Sequence, residues 1–333
     1  MQPTTKNMNT RKQHKIIAVT PAGRKKYMEI LSKYILKDIS IDEWHLWDNC
    51  RDTNDRNYIN SLAKQHKKIK IVQEEGVDGS NRSISKFYKN TRDADVFYIR
   101  IDDDIVYLPD NFGLLLYSKA VEEKEKYSWW SPVVINNAIC TYLLYAKNII
   151  DTNANLTAQA TSAIGWGSPV FAAMLHHLFL KSYDSTNLEK WKINDKFELF
   201  LQRFSVNTIG FFGDYSKELG DKFCPVDVDE EEYISAKLPI LTGKPGRLIG
   251  DILVAHFSFY TQETFLLKKT DILQNYARIA GINHYRFSYK NKNNKLIRHI
   301  KHLIWYDGMY SLNQICNIYP MEKKITMKLY EER

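Results

Sequence analysis

Hydrophobic residues in the first hundred positions form short apolar runs, and stretches with helical spacing lie between them. The runs have the length of buried strands, whereas the stretches repeat a hydrophobic residue every three or four positions. Strands are predicted at residues 15–20, 43–47, 69–72 and 96–101, and helices at residues 24–36, 55–66 and 83–89. This alternation predicts an α/β fold with a mostly parallel central sheet.

The second half of the chain follows a less regular pattern. Helices are predicted at residues 111–126, 170–180 and 262–280, and strands at residues 129–135, 139–146 and 253–260. Residues 184–208 are polar and are predicted to form an insertion with a helix. The apolar stretch at 133–150 is interrupted by Asn136, Asn137 and Lys147, so we expect no membrane span there.

Charge and cysteine content narrow the class of protein. The chain of 333 residues has a formal net charge of +8, with much of the cationic excess near its two ends. Such a charge suits an anionic ligand, a phospholipid surface or nucleic acid. The cysteines are scattered and form no Cys-x-x-Cys pair, which argues against a structural zinc site and a disulfide scaffold. With a polar start at residues 1–15 and reduced thiols, we expect a cytoplasmic protein.

Three aspartates follow the strand at 96–101 directly. Alternation along an extended chain places Asp102 and Asp104 on one side and Asp103 on the other. Two converging carboxylates repel each other unless a cation lies between them, and Mg²⁺ or Mn²⁺ with oxygen ligands meets that need. A turn or a helix cap is the alternative interpretation. An EF-hand is excluded because no glycine stands at the sixth loop position and no Glu closes the loop.

Two later features complete the pattern: the acidic run Asp-Val-Asp-Glu-Glu-Glu at residues 227–232, and His256 in an apolar segment. Together with the three aspartates, they resemble the Asp-X-Asp glycosyltransferases of the GT-A fold, family 2-like, over residues 15 to about 265. The resemblance implies a Rossmann-like, mostly parallel sheet flanked by helices. It also implies metal-dependent transfer of a sugar, with inversion, from a nucleotide-diphosphate sugar to a hydroxyl of a glycan or glycolipid.

The same resemblance suggests a division of the chain. Residues 1–14 are expected to be a disordered arm, and residues 15–285 a catalytic domain with a donor half at about 15–110 and an acceptor half at about 111–285. Residues 286–333 are expected to be a helical, basic C-terminal extension. Peripheral docking of this extension on anionic lipid is one interpretation, and packing on the catalytic domain is the other.

The donor candidates lie at the ends of the early strands, where α/β folds bind ligands. They are Thr20, Ala22, Arg24, Asp48, Asn49, Arg82, Lys86, Arg100, Asp102 and Asp103. The carboxylate of Asp48 or the amide of Asn49 suits a base or a ribose, and the basic side chains suit a diphosphate. A UDP-sugar is the first expectation for the donor. Neither a P-loop nor a Gly-x-Gly-x-x-Gly motif follows the first strand. For each basic residue, a solvated surface role is the alternative.

The remaining site roles come from the resemblance. It implies that His256 completes the shell of a Mn²⁺ or Mg²⁺ ion held by Asp102 and Asp104, whereas a buried core histidine is the alternative. It further implies a catalytic base in the acidic run; Asp229 is the first choice, followed by Glu230 or Glu231. Acidic residues at a helix N-terminus also occur as caps that complement the helix dipole.

Two residues are candidates for contact with the acceptor. Trp166 stands between two glycines, which suits an aromatic platform for a sugar face, although an ordinary packed aromatic fits equally well. His176 and His177 are adjacent in an apolar helix and therefore point about 100° apart, so both cannot readily bind one metal. One is interpreted as packing and the other, His177, as an acceptor contact.

Two other classes of function remain open at this stage. A sugar-phosphate nucleotidyltransferase also has an α/β sheet and metal-binding aspartates, but the Thr-Pro-Ala-Gly-Arg segment is a poor version of its glycine-rich loop. A non-enzymatic, basic nucleic-acid-binding protein fits the charge. No recognised nucleic-acid-binding motif is present, so no nucleic acid is expected as a partner.

Overall fold

A single mixed sheet forms the centre of the protein in the computed structural model, which describes residues 14–283 and 285. The predictions for residues 1–13 and for the extension at 286–333 lie outside these residues. The strands are β1 (Lys15–Ala22), β2 (Glu43–Asp48), β3 (Ile69–Val72), β4 (Val96–Ile101), β5 (Ile105–Tyr107), β6 (Trp129–Ile135), β7 (Phe197–Leu199), β8 (Thr208–Phe212) and β9 (Gly246–His256).

The order of the strands is β3-β2-β1-β4-β8-β6-β9-β5, and β7 pairs with β9. Neighbouring strands are parallel from β3 to β4 and again between β6 and β9. The strands β5, β7 and β8 run in the opposite direction. Six of these nine strands therefore share one direction, which confirms the predicted α/β class with a mostly parallel sheet.

Helices flank this sheet. They are α1 (Lys25–Lys37), α2 (Thr53–Gln65), α3 (Phe112–Glu122), α4 (Ala138–Ala146), α5 (Pro169–Asp184), α6 (Gly213–Leu219), α7 (Glu230–Glu232), α8 (Leu238–Thr242), α9 (Tyr260–Lys269) and α10 (Ile272–Ile279). Short 3₁₀ segments lie at Arg82–Asn90, Glu189–Trp191 and Gly220–Lys222, and a π-helical turn at Tyr233–Lys237 joins α7 to α8. Across the described residues, none of these helices has the length and apolar character that crossing a membrane requires.

Burial explains why the central strands read as nearly continuous apolar runs. Every residue of β4 and β6 is buried, and so is every residue of β1 after Lys15. Strands covered on both faces have no solvent side, so apolar residues do not alternate with polar ones. Because β1, β2 and β4 are parallel, their carboxyl ends meet at one edge of the sheet, where Ala22 pairs with Asp48.

Several predicted elements differ in the structure. The helix predicted at residues 262–280 is divided into α9 and α10, and the strand predicted at 253–260 ends at His256 as part of β9. Residues 139–146 are part of α4 instead of a strand, because the side chain of Asn137 accepts hydrogen bonds from the backbone N–H groups of Ile139 and Cys140 and thereby caps a helix. An apolar run of this length fits a buried helix as well as a buried strand. Residues 184–208 contain only the 3₁₀ turn at Glu189–Trp191 and the strand β7 after the end of α5.

Candidate active site

Asp102, Asp104 and His256 form an acidic cluster at the carboxyl end of β4. One ligand atom from each of the three residues lies within 4.8 Å of the others. The sheet explains this convergence, because Ile105 pairs with His256 between β5 and β9. The backbone N–H of Phe257 also donates a 2.9 Å hydrogen bond to the carbonyl of Asp104. A residue late in the chain is thereby held beside the aspartates.

The carboxylate of Asp104 is the centre of this cluster. The side chain is 2% exposed, and its Oδ2 lies 3.0 Å from the Arg24 guanidinium and 3.3 Å from Nε2 of His256. Its Oδ1 is buried and accepts no hydrogen bond from any residue that the structure describes. Burial opposes ionisation of Asp104, but Arg24 and His256 outweigh it and lower the pKa of this carboxyl. Asp104 is therefore an ionised group with an open ligand position.

The carboxylate of Asp102 is partly exposed and is held from two directions. NH1 of Arg100 donates to Oδ1 at 2.5 Å, and the side-chain amide of Asn207 donates to Oδ2 at 3.1 Å. Asp103 accepts hydrogen bonds from the backbone N–H of Gly23 and from Nε of Arg24, and the same guanidinium also contacts Asp104. Asp103 thus ties the turn between β1 and α1 to the end of β4.

The turn after β6 supports both ends of the cluster. Asn136 has a left-handed backbone conformation (φ 65°), and its carbonyl accepts from Nδ1 of His256 at 3.3 Å, so Nε2 is left to face Asp104. The Asn137 amide donates to Oδ1 of Asn207 at 3.0 Å, and Asn207 in turn holds Asp102. Metal-binding histidines and carboxylates usually have such supporting partners.

The sequence patterns do not single out these three asparagines. The available signal is a pair of adjacent asparagines directly after a buried strand, which is typical of a left-handed turn. Asn207 gives no local signal, because its partners are distant in the sequence.

We expect the substitution His256→Ala to weaken Mn²⁺ binding by at least about tenfold, because an imidazole is a good ligand for Mn²⁺ and alanine supplies none. The free ion can be measured by electron paramagnetic resonance during a titration of the full chain. His177→Ala is the matched control, because His177 lies outside the cluster, and its titration should follow that of the parent protein. An unchanged curve for His256→Ala would mean that this histidine is only part of the core.

Removal of a supporting amide should have an effect of the same kind. For Asn207→Ala we expect Mn²⁺ binding to weaken by about 10-fold, because Asp102 loses the hydrogen bond that orients it. Asn90→Ala removes an amide that donates to the exposed side of Glu74 and should leave the titration unchanged. Equal Mn²⁺ affinities of the two variants would contradict a supporting role for Asn207.

The donor candidates on β1 and β2 lie at the same sheet edge as the cluster. The hydroxyl of Thr20 is buried and accepts from Nε1 of Trp44 at 3.0 Å, so it already has a partner inside the sheet. The carbonyl of Ala22 accepts from the backbone N–H of Asn49 at 3.1 Å. The side chain of Asn49 accepts from Ser83 at 2.9 Å. These contacts set the shape of the strand edge.

Asp48 ends β2 and is buried. It accepts hydrogen bonds from Nε of Arg56 at 3.0 Å and from the amide of Gln73 at 3.3 Å. Burial raises the pKa of Asp48, but Arg56, Gln73 and the backbone N–H of Cys50 together lower it below its ordinary value. Asp48 is therefore an ionised acceptor beside the end of β1.

The basic donor candidates divide into two groups. Arg24 contacts the cluster directly, and the buried Arg100 holds Asp102. Arg82 is exposed on the 3₁₀ segment, and Nζ of Lys86 donates to the carbonyl of Gly76 and lies 3.6 Å from Asp227. Arg24 and Arg100 are thus brought to the cluster, whereas Lys86 lies beside Asp227 of the acidic run and Arg82 stays exposed.

Glu230 joins the acidic run to the cluster of Asp102, Asp104 and His256. Its side chain is 6% exposed and forms a two-pronged ion pair with Arg100, with N···O distances of 2.9 Å and 2.8 Å. The hydroxyl of Tyr88 donates to the same carboxylate at 2.5 Å. Arg100 also contacts Asp102, so one guanidinium lies between the acidic run and the cluster.

The other two candidates for a base share a different arginine. Asp229 caps α7 by accepting from the backbone N–H of Glu232, and it lies 3.1 Å from NH2 of Arg203. Glu231 accepts from Nε of Arg203 at 2.8 Å. Burial raises the pKa of Glu231 even though Arg203 opposes the rise. No pattern in the sequence points to Arg203.

The acceptor candidates lie in two different places. Trp166 is half-buried, with its ring centre 6.1 Å from that of Phe259, which in turn lies 4.7 Å from that of His256. His177 lines a separate pocket of about 440 Å³ with residues of α5 and α10, including Asn275. The structure therefore brings Trp166, but not His177, to the surroundings of the cluster.

Comparisons with known proteins find similarity only among solved structures. Neither a protein-family model nor a curated protein matches the chain. The chain is similar to the mannosyltransferase PcManGT from Pyrobaculum calidifontis, solved in complex with GDP-Man and Mn²⁺, at 11% identity and a TM-score of 0.47 over 93% of this chain and 74% of that chain. It is also similar to 4-diphosphocytidyl-2C-methyl-D-erythritol synthase from Anaerococcus prevotii at 12% identity and a TM-score of 0.39 over 80% of this chain and 96% of that chain.

Proposed function

We propose that the protein is a metal-dependent glycosyltransferase that moves a sugar from a nucleoside-diphosphate sugar to a hydroxyl of a carbohydrate acceptor. The observation that supports it most is the buried Oδ1 of Asp104, which has no hydrogen-bond partner among the described residues and lies in a cluster with Asp102 and His256. A buried charged oxygen without a partner is costly, and a bound cation removes that cost. The cluster lies at the carboxyl edge of parallel strands, where α/β folds bind ligands.

The donor atoms of the cluster fit a divalent ion of the Mn²⁺ or Mg²⁺ type. Asp102 and Asp104 supply carboxylate oxygens and His256 an imidazole nitrogen, a set that suits Mn²⁺ better than Mg²⁺, which prefers oxygen ligands. When bound, such an ion neutralises the charge that develops on a leaving diphosphate. Arg24 pairs with Asp103 and Asp104 and would also stabilise a phosphate oxygen.

The ends of β1 and β2 would hold the nucleoside. Asp48 and Asn49 present oxygen and amide groups at this edge, which suit ribose hydroxyls or the edge of a base, as in a UDP-sugar. The turn at Gly23 leads into α1, a helix of 13 residues, and the N-terminus of a helix favours an anion. The first N–H group of this helix, that of Lys25, donates to the carboxylate of Asp55. Both features lie on the β1–β2 side of the aspartates.

The acidic run would supply the base for an inverting displacement. Glu230 is committed to Arg100, and Asp229 is committed to capping α7. Glu231 has a pKa raised by burial, which brings a carboxyl closer to the range in which it accepts a proton efficiently. We therefore assign the base to Glu231, with Arg203 orienting it, and the acceptor is a glycan or glycolipid hydroxyl next to Trp166.

A panel of nucleotide sugars tests the reaction class. The purified full chain is incubated with UDP-, GDP-, ADP- and dTDP-sugars and Mn²⁺, and release of free nucleotide is measured with and without a mixture of glycan acceptors. We expect release from at least one donor, stimulated by acceptor and lost in EDTA. A parallel reaction with nucleoside triphosphates and sugar 1-phosphates, followed by pyrophosphate release, tests for a nucleotidyltransferase. Activity in that reaction alone would overturn the proposal.

A further inference from the structure

Tyr260, the first residue of α9, presents an aromatic ring to solvent beside the cluster. The residue is 80% exposed, although it follows a strand in which nearly every residue is buried. Its ring meets that of Trp166 almost at a right angle (83°), with the ring centres 5.2 Å apart. The pair forms an aromatic corner, consisting of Tyr260 and Trp166, with one ring largely free.

This aromatic corner is continuous with the metal cluster. Phe259 lies between them, because its ring packs against Trp166 on one side and against His256 on the other. Only one aromatic side chain therefore separates a proposed metal ligand from the corner. A molecule that reacts at the cluster and extends along this side would contact Tyr260.

Hydrogen bonds fix the corner in position. The carbonyl of Trp166 accepts from the hydroxyl of Thr261 and from the amide of Gln262, both at 2.9 Å. The side-chain oxygen of the buried Gln262 accepts from the amide of Asn136 at 2.9 Å. Asn136 also holds His256 through its carbonyl. Asn136 thus contacts both parts of the site: the cluster through His256, and the corner through Gln262.

The corner and the nucleoside candidates follow different strands of the sheet. Ala22, Asp48 and Asn49 lie at the ends of β1 and β2, on one side of β4 in the sheet. The corner follows β9, which is separated from β4 in the sheet by β8 and β6. The helix α9 also lies against α1, because Glu263 pairs with Lys26 and accepts from the hydroxyl of Tyr27, so the corner and the nucleoside candidates lie around the same carboxyl edge of the sheet.

We infer that Tyr260 and Trp166 form a stacking subsite for a pyranose ring of the acceptor, and this inference rests on the proposed function. The C–H groups on one face of a pyranose carry a slight positive charge, whereas the face of an aromatic ring is negative. Stacking covers apolar surface on both partners and leaves the sugar hydroxyls free to react. A fixed, exposed ring meets this need with little loss of side-chain entropy.

Saturation-transfer NMR on the full chain without nucleotide or metal tests the subsite. The probes are methyl glycosides of glucose, galactose, mannose and N-acetylglucosamine. We expect saturation to be strongest at the ring protons of one pyranose face for at least one probe. Tyr260→Ala should reduce its affinity by about 3- to 10-fold, whereas Tyr260→Phe should retain it, because stacking uses the ring and not the hydroxyl.

Tyr145→Ala is the matched control, because Tyr145 is another exposed tyrosine, on α4, and its loss should leave the saturation pattern unchanged. Absence of saturation for every probe, or equal affinity of Tyr260→Ala and the parent protein, would overturn the subsite. Nucleotide release by the parent protein is measured separately. If sugar binding depends on Tyr260 but no donor is hydrolysed, the proposed function fails while the subsite stands.

Discussion

The substitution Asp104→Asn is expected to reduce Mn²⁺-dependent release of nucleotide by about 10³-fold. Asparagine keeps the size of the side chain but removes the negative charge, so the cluster loses its most buried anionic ligand. Charge neutralisation at a leaving diphosphate contributes several kcal/mol, and each 1.36 kcal/mol corresponds to about tenfold in rate. Initial rates at saturating donor, over a range of Mn²⁺ concentrations, provide the measurement.

Asp110→Asn is the control for this substitution. Asp110 is exposed and pairs only with the exposed Lys37 among the contacts that the structure describes, so its loss should leave the rate within about twofold. Circular dichroism should show both variants folded. Normal turnover by Asp104→Asn, or full activity of the parent protein in EDTA, would contradict a metal role for this carboxylate.

The second large effect is expected for Glu231→Gln. Removal of a general base typically costs ~10²–10⁴-fold in rate, and glutamine preserves the shape of the side chain and its contact with Arg203 while it cannot accept a proton. Transfer to acceptor should therefore fall, whereas binding of the donor, measured by calorimetry, should persist. The anomeric coupling constant of the product should show inversion. A product with the configuration of the donor would refute a base at this position.

The neighbouring acidic residues provide contrasting controls. Glu230→Gln removes one of the two carboxylates that pair with the buried Arg100, so we expect a loss of about 3 kcal/mol in the free energy of unfolding. Asp229→Ala removes the cap of α7 and should cost about 1 kcal/mol. Chemical denaturation separates these stability effects from the rate effect. If Asp229→Ala loses transfer while Glu231→Gln does not, the base is Asp229.

Local patterns predict the fold of the first half better than that of the second. The early strands are buried on both faces and separated by amphipathic helices, so each element has its own signal. The antiparallel strand β8 is not among the predicted elements, because it has five residues and contains Gly210. That glycine is needed because a Cβ there would lie 2.4 Å from the ring of Phe97, a contact that only the tertiary structure reveals.

The candidate site shows the same limit. Alternation after β4 predicts that Asp102 and Asp104 lie together, since the signal is contained in consecutive residues. From the sequence, His256 is a candidate metal ligand only because of the resemblance to a known family. The support from Asn136 and Asn207 depends on the pairing of strands far apart in the sequence, and no local period encodes it.

The acidic run illustrates a further limit. Five acidic residues in six positions predict a functional segment, but not which residue is free to react. The partners decide this, since Arg100 engages Glu230 while Arg203 engages Asp229 and Glu231. The roles of these carboxylates stay predictions until the variants are measured.

The two-sided engagement of Arg100 has a thermodynamic consequence. Its guanidinium, 3% exposed, contacts Asp102 of the cluster and Glu230 of the acidic run at the same time. A shift of either carboxylate therefore changes the electrostatic environment of the other. The cluster and the acidic run are thus energetically coupled. Coupling of this kind is reciprocal. If a bound acceptor changes the affinity for the divalent ion by some factor, the bound ion changes the affinity for the acceptor by the same factor. The protein would therefore bind its substrates and ion as a linked set.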